Sequence, residues 1–318
     1  MNSILVRFYH RPLALSFVML GLIMVSGCTK PREAAVLRAS DAEMGRLSQQ
    51  AKSLFEMQRP AQAAPLYHAA LDRARALNDD AAIARLAYNL GACRLESGDA
   101  AGASTAFEEA IHAAHGAGLP DEESRLLLGY ALLKQGDIDR TLVLCSKAIE
   151  VLGLRADPGM RLRFQLLQAE AYLRADQIDS AQKILQKVDQ QLTSKSSSTM
   201  QARAAHIEGV ILSRRENPSQ SAKAFLREAE LWGAANRPMD VVAALVRAAY
   251  EQQRANDIPA EADSRYRAAR ALLGLAHLAE ASSQLDRLEA LPKNDWPESL
   301  TQLVPLLRRE IDQRTRVK

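Results

Sequence analysis

The sequence predicts an all-α fold, a right-handed solenoid of about six helical hairpins closed by a C-terminal capping helix, and three phased series of residues carry that prediction. Small residues recur at Ala51, Gly91, Gly129, Ala169, Gly209 and Ala249, with gaps of 40, 38, 40, 40 and 40. A second small residue follows each of them 12 or 13 positions later, at Ala63, Ala103, Thr141, Ala181, Ser221 and Ala262. Four residues further on stands a larger side chain: Tyr67, Phe107, Cys145, Leu185, Phe225 and Tyr266. The small pair fits the crossing of two helices, where only a methyl or a hydrogen lets the axes approach. The larger residue is expected to fill the gap to the next hairpin. A single hairpin cannot bury both its faces, so each unit needs its neighbours.

The chain begins with a segment of a different kind. Arg7 and Arg11 precede an apolar run from Pro12 to Val25, 14 residues broken only by Ser16 and Gly21. That run is short for a bilayer span and reads as the core of a signal peptide over residues 1–27. Val25-Ser26-Gly27-Cys28 then resembles the lipobox of bacterial lipoproteins. The resemblance implies cleavage before Cys28 and acylation of Cys28, and buried acyl chains contribute roughly 0.8 kcal/mol per methylene to membrane attachment. Thr29 and Lys30 follow the cysteine, in place of the aspartate that retains such proteins at the inner membrane. The expected location is therefore the periplasmic face of the outer membrane. Residues 28–43 read as a lipidated tether.

Residues 44–291 form the solenoid. Within one unit, Leu86, Leu90 and Cys93 have helical spacing before a turn at Gly98-Asp99, and Ala103, Ala106, Phe107 and Ala110 continue it afterwards. Leu192 to Met200, with Ser194, Ser196, Ser197, Ser198 and Thr199, reads as a polar loop open to proteases. Ala281, Leu285 and Leu288 make one more arm. Residues 292–318 are a capping helix and a basic tail, with Pro297 suited to the first turn and Leu300, Leu303, Val304, Leu307 and Ile311 on one face.

Tyr88-Asn89-Leu90-Gly91, followed by Gly98-Asp99, Ala103, Phe107 and Ala110, resembles the tetratricopeptide consensus, as do Leu128-Gly129, Lys134-Gln135-Gly136-Asp137 and Ala148. The resemblance extends from about Met44 to Leu291 and fades in the units around Gly209 and Ala249. The family's unit is about 34 residues. Here the unit is 40, with the spacing inside the hairpin unchanged, so the extra length is expected between hairpins, as longer helices or longer inter-repeat loops.

Composition narrows the function. The net charge of +3 on 41 basic and 38 acidic side chains falls to +1 without Arg7 and Arg11. From Gln201 onward 18 basic and 16 acidic residues interleave, which fits a solvated helix surface and not a nucleic-acid face. Cys93 and Cys145 stand at dissimilar repeat positions and read as small buried hydrophobes. Of the histidines, only His112 and His115 share a helix face, and two ligands do not make a metal site. With no catalytic motif, no cofactor and no enzymatic activity are expected.

The resemblance implies a binding groove lined by the first helix of each unit. The matching positions are Tyr88, Tyr130, Glu170, Arg174, His206, Arg247, Glu251 and Arg254, an aromatic and arginine-rich set suited to anchoring a partner. The family's clamp for a C-terminal dicarboxylate is not supported, because Tyr88 with Ala92 and Leu126 with Tyr130 occupy its positions. The expected function is an adaptor for envelope proteins bound in the groove, in a pilotin-like role for a pilus or secretion pore. Regulation of peptidoglycan enzymes is the nearest alternative. A helical-repeat glycan hydrolase using Glu170 and Glu251, and self-association through the solenoid ends, are alternatives of other kinds.

Overall fold

The computed structural model describes residues 31–153, 158–193 and 196–316, with side-chain surroundings from residue 42 onward. Residues 1–27 and Cys28 lie outside the described residues, and so do Ser194 and the last two residues of the expected tail. Every regular element described is a helix, and the chain divides into two compact units, through Ala131 and from Leu132.

The first unit holds α1 (Pro31–Glu56), α2 (Pro60–Ala76), α3 (Asp80–Glu96), α4 (Ala100–Gly116) and the start of α5 (Glu122–Gln135). Thus α1 begins inside the segment 28–43 assigned to the tether. The second unit continues with α6 (Ile138–Gly153), α7 (Pro158–Arg174), α8 (Ile178–Asp189), α9 (Ser198–Arg214), α10 (Pro218–Ala234), α11 (Pro238–Arg254), α12 (Ile258–Gly274) and α13 (Leu278–Glu289). A short 3-10 turn at Lys293–Asp295 leads into α14 (Glu298–Arg316).

Helices start at 60, 80 and 100 in the first unit and at 138, 158, 178, 198, 218, 238, 258, 278 and 298 in the second, a step of 20 residues from which α5, starting at 122, departs. The six residues beyond the family's unit are therefore absorbed by helices about 17 residues long. Longer loops between hairpins do not account for them after α2 and α10, where the connection is the same three-residue turn that closes the hairpins after α1, α3, α7, α9 and α11; the connections after α4 and α8 are longer, five and eight residues. The middle residue of that turn is left-handed at Gln58, Asn78, Gly98, Asp176, Glu216, Asn236, Asn256 and Ala276. The next residue's N–H closes back onto the preceding helix, as in Asp79 to the Ala74 carbonyl (3.1 Å), Asn217 to Leu212 (3.0 Å) and Asp257 to Gln252 (2.9 Å). The same residue then caps the following helix. The side chains of Asp79, Asp99, Asn217 and Asp257 accept from the N–H three residues on.

The Ser-rich segment is shorter as a loop than 192–200. Ser197 is an N-cap whose hydroxyl accepts from the Met200 N–H at 3.4 Å, so Ser198, Thr199 and Met200 are already the first turn of α9. Serine suits loops and caps alike, and here capping prevails.

Packing follows the three series. All six residues of the second series, from Ala63 to Ala262, are fully buried. Two of the larger residues, Phe107 and Phe225, differ from expectation in one respect: they fill the crossing inside their own hairpin. A Cβ placed on Gly91 would lie 2.7 Å from the Phe107 ring, and one on Gly209 would lie 2.5 Å from Phe225. The Ser221 hydroxyl adds a bond across the same crossing, donating to the Gly209 carbonyl at 2.8 Å.

Some hairpins pack on one another as fully as their own arms do, α10 on α11 much as on α9, whereas α8 packs less closely on α9 than on α7. The helix α12 serves twice. It is the second arm after α11, and it is also a first arm for α13, since Ala269, Ala281 and Leu285 reproduce Ala169, Ala181 and Leu185 one hundred residues later. The cap buries Leu300, Val304, Leu307 and Ile311 on this end, with Trp296 beneath. Leu303 is not part of that buried face and is 39% exposed. Cys93 and Cys145 are free, fully buried thiols, and burial pushes both up to about 12. Among the described residues no helix is long and apolar enough to cross a membrane.

Candidate functional site

In the second unit the first arms α7, α9 and α11 carry a run of polar side chains that bridge one helix to the next. From α9, Arg203 donates to Glu170 on α7 at 3.1 Å. Further along α9, the Ser213 hydroxyl donates to Glu251 on α11 at 2.7 Å, and Arg254 grips both, at 2.9 Å to Glu251 Oε2 and 3.0 Å to Ser213 Oγ.

Between these bridges lies the most developed cluster. Glu228 of α10 reaches up between α9 and α11 with a carboxylate that is 3% exposed. It accepts from Arg247 at 2.7 Å and from the Trp232 indole at 3.0 Å, and it meets His206 Nδ1 at 3.2 Å. An ionised carboxylate only accepts, so the imidazole proton must sit on Nδ1. One helical turn away the Phe225 ring lies under both partners, 5.9 Å from the His206 ring and 5.5 Å from the Arg247 guanidinium carbon. Burial alone would raise the Glu228 carboxyl, but the His206 hydrogen bond and the Arg247 charge outweigh it and hold its pKa below the ordinary 4.5.

Glu228 breaks the repeat. It stands three residues after Phe225, where the other units have Ala70, Ala110, Ala148, Val188 and Ala269. An acid in place of a small apolar residue at a helix crossing is costly to bury alone. The three donors around it offset that cost.

The expected groove residues divide accordingly. Glu170, His206, Arg247, Glu251 and Arg254 belong to the bridged face of the second unit. Glu251 is buried, so its part is to hold Arg254 and Ser213 and not to meet a partner directly. Arg174 is exposed in the last turn of α7. Tyr88 and Tyr130 are in the first unit and both half-buried, Tyr88 with its ring edge-to-face on Phe107 at 6.1 Å. Reading first helices alone missed Phe225, Glu228 and Trp232, which come from the second arm. It also missed Tyr250, 58% exposed on α11 between Arg247 and Arg254. The break at Glu228 was visible in the register of the repeat, whereas nothing in the pattern marked Tyr250 as exposed.

His112 and His115 are both exposed on α4, and among the described residues no group of three or more His, Cys, Asp or Glu could hold a metal ion.

No family model and no curated protein matches the chain. Solved structures do. BtubC (BKLC) from P. vanneervenii is similar at 13% identity over 75% of this chain and 92% of that one, with a TM-score of 0.51. The apo quorum sensor NprR from B. thuringiensis is similar at 14% identity over 87% of this chain and 74% of that one, TM-score 0.49. A tetratricopeptide repeat protein from Parabacteroides merdae covers 85% of this chain and 99% of its own at 13% identity, TM-score 0.45. At such identity the likeness to BtubC concerns the fold. The packing of consecutive helix pairs, with that likeness, makes this chain a tetratricopeptide-like, all-α repeat protein with a distinct final helix.

Proposed function

We propose that the chain is a non-catalytic adaptor of the bacterial cell envelope, anchored by lipid at Cys28 on the periplasmic face of the outer membrane. It binds partner proteins through the first-arm face of its repeats. The observation that carries the binding role is the bridged face of α7, α9 and α11, where arginines are held in fixed positions by carboxylates behind them. Side chains already ordered lose little freedom on binding, which favours a recognition surface. The anchor rests on Val25-Ser26-Gly27-Cys28 after the apolar leader.

The adaptor works in envelope assembly, in the manner of a pilotin for a pilus or secretion pore. A hydrolytic role finds no support in the site. Glu170 is tied to Arg203, and Glu251 is buried and bonded to Arg254 and Ser213, so neither is poised as the acid or base that glycan hydrolysis requires.

Affinity capture from envelope extracts tests the reading, with protein beginning at Thr29 and a variant carrying Arg174→Ala, Tyr250→Ala and Arg254→Ala. The expected result is a reproducible set of envelope proteins bound by the parent and lost by the variant, whose helicity by circular dichroism is unchanged. Equal capture by both proteins would remove this face from the function.

A further inference from the structure

We infer that the α11 stripe of Arg247, Tyr250 and Arg254 receives an acidic, extended segment of the partner, with two carboxylates flanking one apolar side chain; this rests on the reading that the face binds a partner. Three observations support it. The first is the layering of charge. Glu228 and Glu251 are each 3% exposed at the side chain, whereas Arg247 and Arg254 are 35% and 34% exposed. The cluster is close to neutral in sum, yet its acids lie behind and its bases in front. A partner therefore meets positive charge, and the buried carboxylates keep the guanidiniums from turning away.

The second is unspent donor capacity. A guanidinium carries five N–H donors in a rigid fork. Arg247 commits Nη2 to Glu228 and Arg254 commits Nη1 to Glu251 and Ser213. The third is spacing. Arg247, Tyr250 and Arg254 stand at i, i+3 and i+7 and so share one face of α11, the two arginines about 10 Å apart along the axis. In an extended chain of the polyproline II kind, which rises about 3.1 Å per residue with three residues per turn, residues three apart lie on one edge at about that separation. Tyr250, exposed between them, offers a flat apolar contact to a side chain in the middle. The occupant so defined has the form acid, apolar, any residue, acid.

The test uses the full chain in non-ionic detergent and fluorescein-labelled peptides built around Glu-Leu-Ser-Glu, with Gln-Leu-Ser-Gln and Lys-Leu-Ser-Lys as analogues, read by fluorescence anisotropy. The acidic peptide is expected to bind about tenfold more tightly than the glutamine analogue and to weaken with added salt. Arg254→Gln and Tyr250→Ala should each reduce its affinity about fivefold or more, with Arg287→Gln, exposed on α13, as an unaffected control. Tyr250 is exposed, so its variant keeps the test valid should an arginine variant disturb the fold. Equal binding of acidic and glutamine peptides, or equal loss with Arg287→Gln, overturns the inference. Preferential binding of the glutamine or lysine peptide, lost with Tyr250→Ala, overturns it while leaving the partner-binding face in place. Binding of none of the three overturns the inference, and envelope capture lost with the Arg174, Tyr250 and Arg254 variant then keeps the partner-binding face in place.

Discussion

Single residues in this protein are constrained most tightly where two helices touch. The Gly209 hydrogen faces the Phe225 ring with no room for a methyl, whereas Gly45, on α1, has nothing within 4 Å of the same position. Gly209→Ala is therefore expected to lower stability by about 1–3 kcal/mol through overpacking. Gly45→Ala should be neutral or stabilising, because alanine favours a helix interior over glycine. Thermal denaturation of the two variants separates these outcomes. A pH dependence belongs to Glu228. Its folded pKa lies below its ordinary 4.5, so the stabilisation it supplies is complete above that value and is lost as pH falls through the lower, folded one. Melting temperature followed from neutral pH into acid should fall in that window for the parent, and Glu228→Gln should flatten this part of the curve while lowering the plateau.

These contacts also show what a sequence can reveal. Volume limits at a crossing recur with the crossing, so the small residues and the rings opposite them form a series that is legible without coordinates. The destination of each ring was not legible, because a residue four after the crossing can turn inward or onward, and only backbone geometry decides. The left-handed turns were half hidden for a related reason. Gly98 and Gly136 announce their conformation, but Gln58, Glu216 and Ala276 adopt it with side chains that give no such signal. The groove set was legible as positions on first helices, yet the cluster that organises it depends on Glu228 and Trp232 from the arm behind.

Among the elements, α14 has the clearest separate role. It covers the apolar end of the last hairpin with Leu300, Val304, Leu307 and Ile311, and Arg308 straps it to α13 through Asp286 at 2.7 Å, Glu289 at 2.8 Å and Ser282 at 2.9 Å. A chain ending at Leu291 would expose Leu285, Leu288 and Tyr266, at a cost of roughly 1.5–3 kcal/mol for each side chain that becomes fully exposed. Such a protein is expected to melt lower and to bind the dye ANS. An unchanged melting temperature and no dye binding would show that the helix is dispensable as a cap.

For the whole molecule the decisive question is attachment. The proposed membrane location rests on one cysteine, Cys28, after the apolar leader. Cys28→Ser is expected to abolish labelling by a palmitate analogue and to move the protein from the membrane to the soluble fraction of cells. Labelling that survives the substitution would assign the anchor elsewhere.

The 20-residue step has a consequence for how such a chain can grow or be rebuilt. Because the three-residue turn joins helices in the same way within hairpins and between them, the smallest unit that can be inserted at such a turn is one helix, not one hairpin. An even number of inserted helices leaves every later arm on its own side, while an odd number exchanges first arms for second from that point on. The recurrence of Ala169, Ala181 and Leu185 at Ala269, Ala281 and Leu285 spans five steps, an odd number, and α12 is where the two phases overlap. A chimaera that grafts foreign repeats after α11 must therefore match the phase of α9, and one that grafts after α12 can take either.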